Sequence, residues 1–190
     1  MKEYLALAAL LLWPVIPLLW IPMHLFTAFF RRMGAWTYLF VFLAWLVAAA
    51  VILASRDTLL STIVKLPRGL ATIGMVILLG GILLQIWTAR LLSLTGITGG
   101  HELANRTDVF QSGGAFGIVR HPTYLAHTLM LLGIFFITRN AAAGWLTLAD
   151  FVVVNAVIIP LEERELRERF GHSYEEYRKK VPRFFPYIRL

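Results

Sequence analysis

Two short clusters carry most of the side chains able to do chemistry. Arg120-His121-Pro122-Thr123-Tyr124 stands where a glycine-rich stretch gives way to an apolar run. Pro122 suits the first turn of a helix, where its missing N–H costs nothing, so His121 falls near the N-cap. The free N–H groups of such a turn make an anion site, and Tyr124, three residues on, shares the face of His121. Helix capping by His121, with interfacial anchoring by Arg120 and Tyr124, is the competing reading. The second cluster, Glu162-Glu163, follows Ile158-Ile159-Pro160-Leu161 directly. Carboxylates at the edge of an apolar run are costly unless paired. One of them can accept hydrogen bonds from the hydroxyls of a polar ligand. The alternative is a solvated first turn, where acids suit the helix dipole. Asp150 lies inside an apolar run, by default a functional position, unless it sits near enough to the interface to stay hydrated. His127, one turn beyond Tyr124, could line the same cavity. His24, Gln85 and Asn155 read as polar links between helices.

The elements that must position these residues are membrane spans. Of 190 residues, 58% are apolar and only 15% charged, with a mean hydropathy of +0.71. Soluble domains carry about 45–50% apolar and about 25% charged residues, which excludes an ordinary soluble domain, a disordered tail and a fibrous repeat. The absence of cysteine excludes a disulfide framework, a thiolate metal site and a cysteine nucleophile. The net charge of +7 sits mainly at the ends of apolar runs and in the C-terminal segment, so it points to a membrane surface rather than to nucleic acid. Five apolar runs are long enough to cross a bilayer: Tyr4–Phe30, Ala35–Ser55, Gly69–Ala89, Pro122–Thr138 and Ala141–Leu161. They are apolar on every face, as in VILLGGILL, which favours helices over barrel strands. Pro14, Pro17 and Pro22 predict a kink in the first run, or its continuation along the interface. The expected architecture is therefore an all-α integral membrane bundle of five spans. Placing the C-terminus in the cytoplasm gives 13 Lys and Arg inside against 5 outside, the bias that sets orientation. Residues 57–67 are expected at the outer interface. The glycine-rich loop 90–121 is expected to cap a site. In 162–190, Leu166, Phe170, Tyr174, Tyr177 and Val181 recur at helical spacing, which predicts a cytoplasmic amphipathic helix ending at Val181-Pro182. Phe184, Phe185 and Tyr187 would anchor the tail at the interface.

The two clusters occur in a longer pattern. After Gly114 and RHPTY come Glu162, Glu163, Leu166, Phe170, Gly171, Tyr174, Tyr177, Val181, Pro182 and Pro186. Over about residues 113–186 this resembles the isoprenylcysteine carboxyl methyltransferases and the related phospholipid methyltransferases. The resemblance divides the chain into a three-span region, 1–92, and a methyltransferase core, 93–190. It implies S-adenosyl-L-methionine held between the last two spans, the glycine-rich loop and the C-terminal helix, with a lipophilic acceptor entering from the bilayer. By position, His121, Pro122 and Tyr124 would contact the cofactor, and Glu162 would take its hydroxyls or amine. Phe116 stands where the family has Tyr, and Asp108–Gln111 matches a cofactor-contacting loop. The carboxyl methyltransferases have an arginine where this chain has Ile158. A prenylcysteine carboxylate is therefore a poorer fit than a phospholipid amine or a small lipophilic molecule, unless Arg120 substitutes. Ile158 and His127 are the acceptor-side candidates. Arg120, Asp150 and Glu163 are the catalytic candidates, and Glu163, about 100° around the helix from Glu162, is expected to matter less to the cofactor.

The residues agree with that resemblance in one respect. No strand, glycine-rich turn and helix unit of the soluble nucleotide-binding kind is present, so loops and helix ends must hold any cofactor. Methyl transfer is a direct displacement, for which alignment and water exclusion can supply the rate. No metal site is expected. Two other classes remain open: an NADPH-dependent sterol-reductase-like membrane enzyme, and a non-enzymatic haem or quinone protein using His24 and His127.

Overall fold

A computed structural model describes residues 1–104 and 110–184, with backbone only at 94, 95, 101 and 102. Arg106, Asp108 and the anchors Phe185 and Tyr187 lie outside the described residues, as does Pro186. Among the described residues every extended element is helical, apart from one isolated bridge between Ile63 and Asn140. The chain begins with α1 (Lys2–Leu12), α2 (Val15–Leu25) and α3 (Thr27–Met33). The expected kink falls between α1 and α2, at Trp13-Pro14. A second break at Phe26 leaves the helical region, with φ −121° and ψ 42°. Then come α4 (Trp36–Ala54), α5 (Arg56–Ser61), α6 (Leu70–Ile97), α7 (Gly100–Leu103), α8 (Ala115–Ile118) and α9 (Pro122–Thr138). The last third is α10 (Ala141–Val153), a π turn (Val154–Ile158), α11 (Ile159–Phe170) and α12 (His172–Lys180).

Among the described residues, four helices are long and apolar enough to cross a membrane: Lys2–Leu25, Trp36–Ala54, Leu70–Ser93 and Ala141–Phe170. Pro122–Thr138 is a shorter apolar helix. Two expected boundaries are corrected. The stretch from Arg90 onward is not loop at first, because α6 runs to Ile97 with a break at Ser93, whose φ is 63°. The tail also does not begin a new helix at Glu162. The helix from Ala141 continues unbroken to Phe170, about 45 Å at 1.5 Å per residue. It therefore outruns a hydrocarbon core of about 30 Å, and the glutamate pair stands on its last third. The π turn lies just ahead of Pro160, whose ring and missing N–H cannot be fitted into regular α geometry without local adjustment.

Close packing of α6 on α9 forms one wall of the molecule. A side chain at Gly133 would stand 2.7 Å from the Gly74 carbonyl, and one at Gly81 would stand 2.8 Å from Met130 and 3.0 Å from the Ala126 carbonyl. Small residues let the two backbones meet, the usual device for packing helices in lipid. At one end, Asn140 caps α10 by accepting from the Ala143 N–H at 3.0 Å, and its amide donates to the Leu59 carbonyl at 3.0 Å. The segment after α5 is fastened there by Val64 N–H to Arg139 O and Ala141 N–H to Thr62 O. At the other end, Glu165 of α11 joins His24 of α2 at 2.7 Å and Arg31 of α3 at 3.3 Å. The N-terminal helices are thereby tied to the C-terminal one. His24 is thus a link between helices, as expected, whereas Asn155 turns back on its own helix and donates to Phe151 O.

Candidate functional site

The residues of the two sequence clusters meet at one end of the bundle. His121 is the residue before α9, with Pro122 buried at the first helical position. Its Nε2 lies 3.1 Å from Glu163 Oε1 and its Nδ1 lies 3.6 Å from Glu162 Oε2. The Arg120 guanidinium donates twice to Glu163 Oε1, at 3.0 and 3.2 Å, and also to the carbonyls of Val181 (2.6 Å) and Arg178 (3.2 Å). The backbone continues the same join, with Arg120 N–H donating to Pro182 O at 2.8 Å and His121 N–H to Arg183 O at 3.4 Å. The segment after α12 is thus strapped across the start of α9. Burial lowers the basicity of His121, but the two glutamates beside it outweigh that, so its pKa stands above the ordinary 6.5.

An aromatic cluster seats the tail. Tyr174, Tyr177 and Val181 are buried together with Phe110, Leu166 and Phe170 packed against them. The Tyr177 hydroxyl donates to Phe116 O at 2.6 Å, joining α12 to α8. Gly171, at φ +52°, makes the turn between α11 and α12 that lets one apolar stripe run across both. Burial pushes both phenols above their ordinary pKa, so both remain hydrogen-bond donors.

Beneath this roof lies a cavity of about 860 Å³, in the size range of small-molecule sites. Arg120, His121, Tyr124, Phe116 and Glu162 form its polar end. The rest of its wall is largely apolar and includes Trp13, Trp20 and Trp45. A smaller cavity of about 80 Å³ shares Phe116, Arg120, His121 and Glu162 and adds Gln111, Tyr174 and Tyr177. Glu162 Oε2 is buried without a hydrogen-bond partner, and so is the Tyr174 hydroxyl. Unsatisfied buried polar atoms are few in native proteins, and these two belong to residues lining the same cavity.

The structure divides the sequence candidates. Gln111, Phe116, Arg120, His121, Tyr124, His127 and Glu162 all reach one or both cavities. Pro122 does not; it fixes the start of α9. Glu163 does not line either cavity, because its carboxylate is turned into the Arg120 and His121 pairing. Asp150 is fully buried, not hydrated at an interface, and accepts from Trp13 Nε1 at 3.0 Å and Thr128 Oγ1 at 2.7 Å. Ile158 packs with Tyr124, Val154 and Ile159, and in that cluster Ile16, Trp20 and Tyr124 are the residues presented to the cavity. Sequence reasoning missed Thr123 and Gln85 on the cavity wall. The signal for Gln85 was present, a polar side chain inside an apolar run, but it was read as a helix link.

Residues 70–173, more than half of the chain, match the family described as phospholipid methyltransferase. The cobalt-zinc-cadmium resistance protein CzcN of Cupriavidus metallidurans is 25% identical over 84% of this chain and 66% of its own length. The protein-S-isoprenylcysteine O-methyltransferase of Schizosaccharomyces pombe is 33% identical over 44% of this chain and 36% of its own. The steroid 5-alpha-reductase DET2 of Solanum lycopersicum is 32% identical over 61% and 41%. The chain thus spans less than two thirds of the length of each of these relatives. No solved structure matches. The matched segment contains α6, α9 and the glutamate-bearing helix, each of which contributes to the cavity wall, and by that match the chain belongs to the phospholipid methyltransferase family.

Proposed function

We propose that this protein transfers a methyl group from S-adenosyl-L-methionine to a lipophilic acceptor held in the large cavity, and that it does so as a five-span protein with its C-terminus in the cytoplasm. The observation that carries the reading is Glu162 Oε2, a buried carboxylate oxygen without a hydrogen-bond partner, on the wall common to both cavities. A cofactor bearing an amine and ribose hydroxyls suits such an acceptor, and the Tyr174 phenol supplies a donor beside it. Glu162 would take the hydroxyls or amine, His121 and Tyr124 would flank it, and Phe116 and Gln111 would border the rest. When bound, the cofactor supplies an electrophilic methyl group on a sulfonium. This chain's own part is to align and to exclude water: Arg120 ties the strap of residues 181–183 over the polar end, and the apolar wall receives the acceptor. Glu163 holds Arg120 and His121 in position. The span count and orientation are supported by the five apolar helices and the 13 to 5 distribution of Lys and Arg.

The similarity to a steroid 5-alpha-reductase favours a second reading, an NADPH-dependent reductase. Thermal shift in detergent with S-adenosylmethionine, S-adenosylhomocysteine, NADPH and haem separates them. The first two should raise the unfolding midpoint. A rise with NADPH and none with either sulfur compound would replace the methyltransferase reading with the reductase one.

A further inference from the structure

Deeper in the large cavity, three residues form a second polar place with no formal charge. Thr123, His127 and Gln85 all line the cavity, and Thr123 Oγ1, His127 Nδ1 and Gln85 Oε1 are each buried without a hydrogen-bond partner. Thr123 and His127 are four apart on α9 and so share one face. Gln85 stands at their level on α6: Gly81 meets Ala126 and Met130, and Gly74 meets Gly133, so the antiparallel register brings residue 85 opposite the first turns of α9. His127 is six residues beyond His121, about 9 Å deeper along the helix axis.

Most other polar side chains of the spanning helices are paired. Trp45 Nε1 donates to Leu11 O, Thr88 to Gln85 O, Thr128 to Asp150, Thr147 to Ala143 O and Asn155 to Phe151 O; His24 Nε2 is an exception. Thr123 lacks the usual recourse of a hydroxyl in a helix, because the residue four before it, Val119, is extended rather than helical. The unpaired atoms therefore gather on the wall that faces the cavity. The charged groups lining that cavity are Arg120 and Glu162, both at its polar end, and Arg120 is engaged by Glu163. Asp150 lies near that depth but is turned away to Thr128 and Trp13, so an ionic head beside His127 would meet no charged group on the cavity wall, a costly state. Hydroxyl, imidazole and amide groups can each donate or accept with a neutral partner.

We propose that Thr123, His127 and Gln85 are the acceptor subsite, and that it takes an uncharged amphiphile whose head carries a hydrogen-bond donor, an alcohol, phenol or thiol. The subsite selects against carboxylate and ammonium heads. Its identification as the acceptor subsite rests on the methyl-transfer reading, but its binding test does not.

Dodecanol, dodecanoate and dodecylamine share a chain and differ only in the head. Binding is read in detergent, without cofactor, from the change in tryptophan emission, three of the six tryptophans (Trp13, Trp20 and Trp45) being on the cavity wall. Dodecanol should bind, the other two at least tenfold more weakly. His127→Leu and Gln85→Leu should each weaken dodecanol about three- to tenfold, the loss of one neutral hydrogen bond, and His127→Gln should restore part of it. Calorimetry with S-adenosylhomocysteine on the same samples reports on the cofactor site separately. Equal binding of the three heads, or dodecanol affinity unmoved by both leucine variants, would overturn the subsite. Failure of S-adenosylhomocysteine to bind the wild-type protein would instead remove the methyl-transfer reading and leave the lipid result standing.

Discussion

Glu162 and Glu163 are adjacent in sequence and do opposite work. Glu163 spends both its position and its charge on Arg120 and His121, while Glu162 keeps an oxygen without a hydrogen-bond partner at the cavity wall. Glu162→Gln should therefore weaken S-adenosylhomocysteine about ten- to a hundredfold by calorimetry, the loss of a hydrogen bond to a charged group. Because Glu162 also pairs with His121, the same substitution should lower the unfolding midpoint of the free protein, though by less than Glu163→Gln. Glu163→Gln should act chiefly on stability. It leaves a buried guanidinium without its carboxylate, a loss of about 3–5 kcal/mol, and the free protein should melt well below the wild type. The same cluster makes stability depend on pH. His121 is held above its ordinary 6.5 by the glutamates, so its contribution is complete below that value and is lost as pH rises through the raised one. Thermal midpoints measured from mildly acidic to alkaline buffer should fall across that window, and His121→Gln should flatten this part of the profile. The sequence made the glutamate pair legible because carboxylates beside an apolar run demand an explanation. It assigned Glu162 to the ligand by position, but gave no means of seeing that Glu163 is an internal counter-ion, since its partners lie about forty residues away.

At the scale of elements, hydropathy identified the apolar helices because lipid leaves no other way to satisfy a backbone. It could not show where helices continue past the apolar run. Polar residues such as Glu162 to Arg169 extend the helix from Ala141 because a formed helix adds turns at little cost, and nothing at Leu161 stops it. Gly171 does stop it. The π turn had a visible cause in Pro160, although the position of the adjustment depends on packing against Tyr124 and the α2 side chains. The α6–α9 contact was not legible, because glycine in an apolar run looks the same whether it faces lipid or a backbone. Gly133 and Gly80 make a direct comparison. An added methyl at Gly133 meets the Gly74 carbonyl and the Leu78 backbone nitrogen at 2.7 Å, whereas at Gly80 it meets nothing within 4 Å. Gly133→Ala should destabilise by about 1–3 kcal/mol, and Gly80→Ala should be neutral or slightly stabilising, since alanine favours helix. Unfolding midpoints in detergent compare the two; similar values would mean that the helices do not pack through these glycines.

At the scale of the molecule, the site is assembled from distant parts of the chain. The helices before residue 25 supply Trp13 and Trp20 to the cavity wall, α6 and α9 supply the facing side, and the segment after Lys180 is hydrogen-bonded to Arg120 and His121 at the polar end. Reporter fusions after Leu190 should report the cytoplasmic side, and fusions within 57–67 the opposite one; the reverse result would displace both the charge argument and the proposed orientation. The strap of residues 181–183 across Arg120 and His121 also has a bearing on biogenesis. Translation proceeds from the N-terminus at about 5–20 residues per second, so the apolar helices can be inserted and packed while the strap is still inside the ribosome. Through that interval the backbone N–H groups of Arg120 and His121 lack their acceptors, the carbonyls of Pro182 and Arg183. Ribosome stalling or truncation just short of Val181 would therefore leave an inserted protein whose α9 start has lost its backbone acceptors, a species that quality-control proteases would recognise by that loosened end rather than by any defect in membrane insertion.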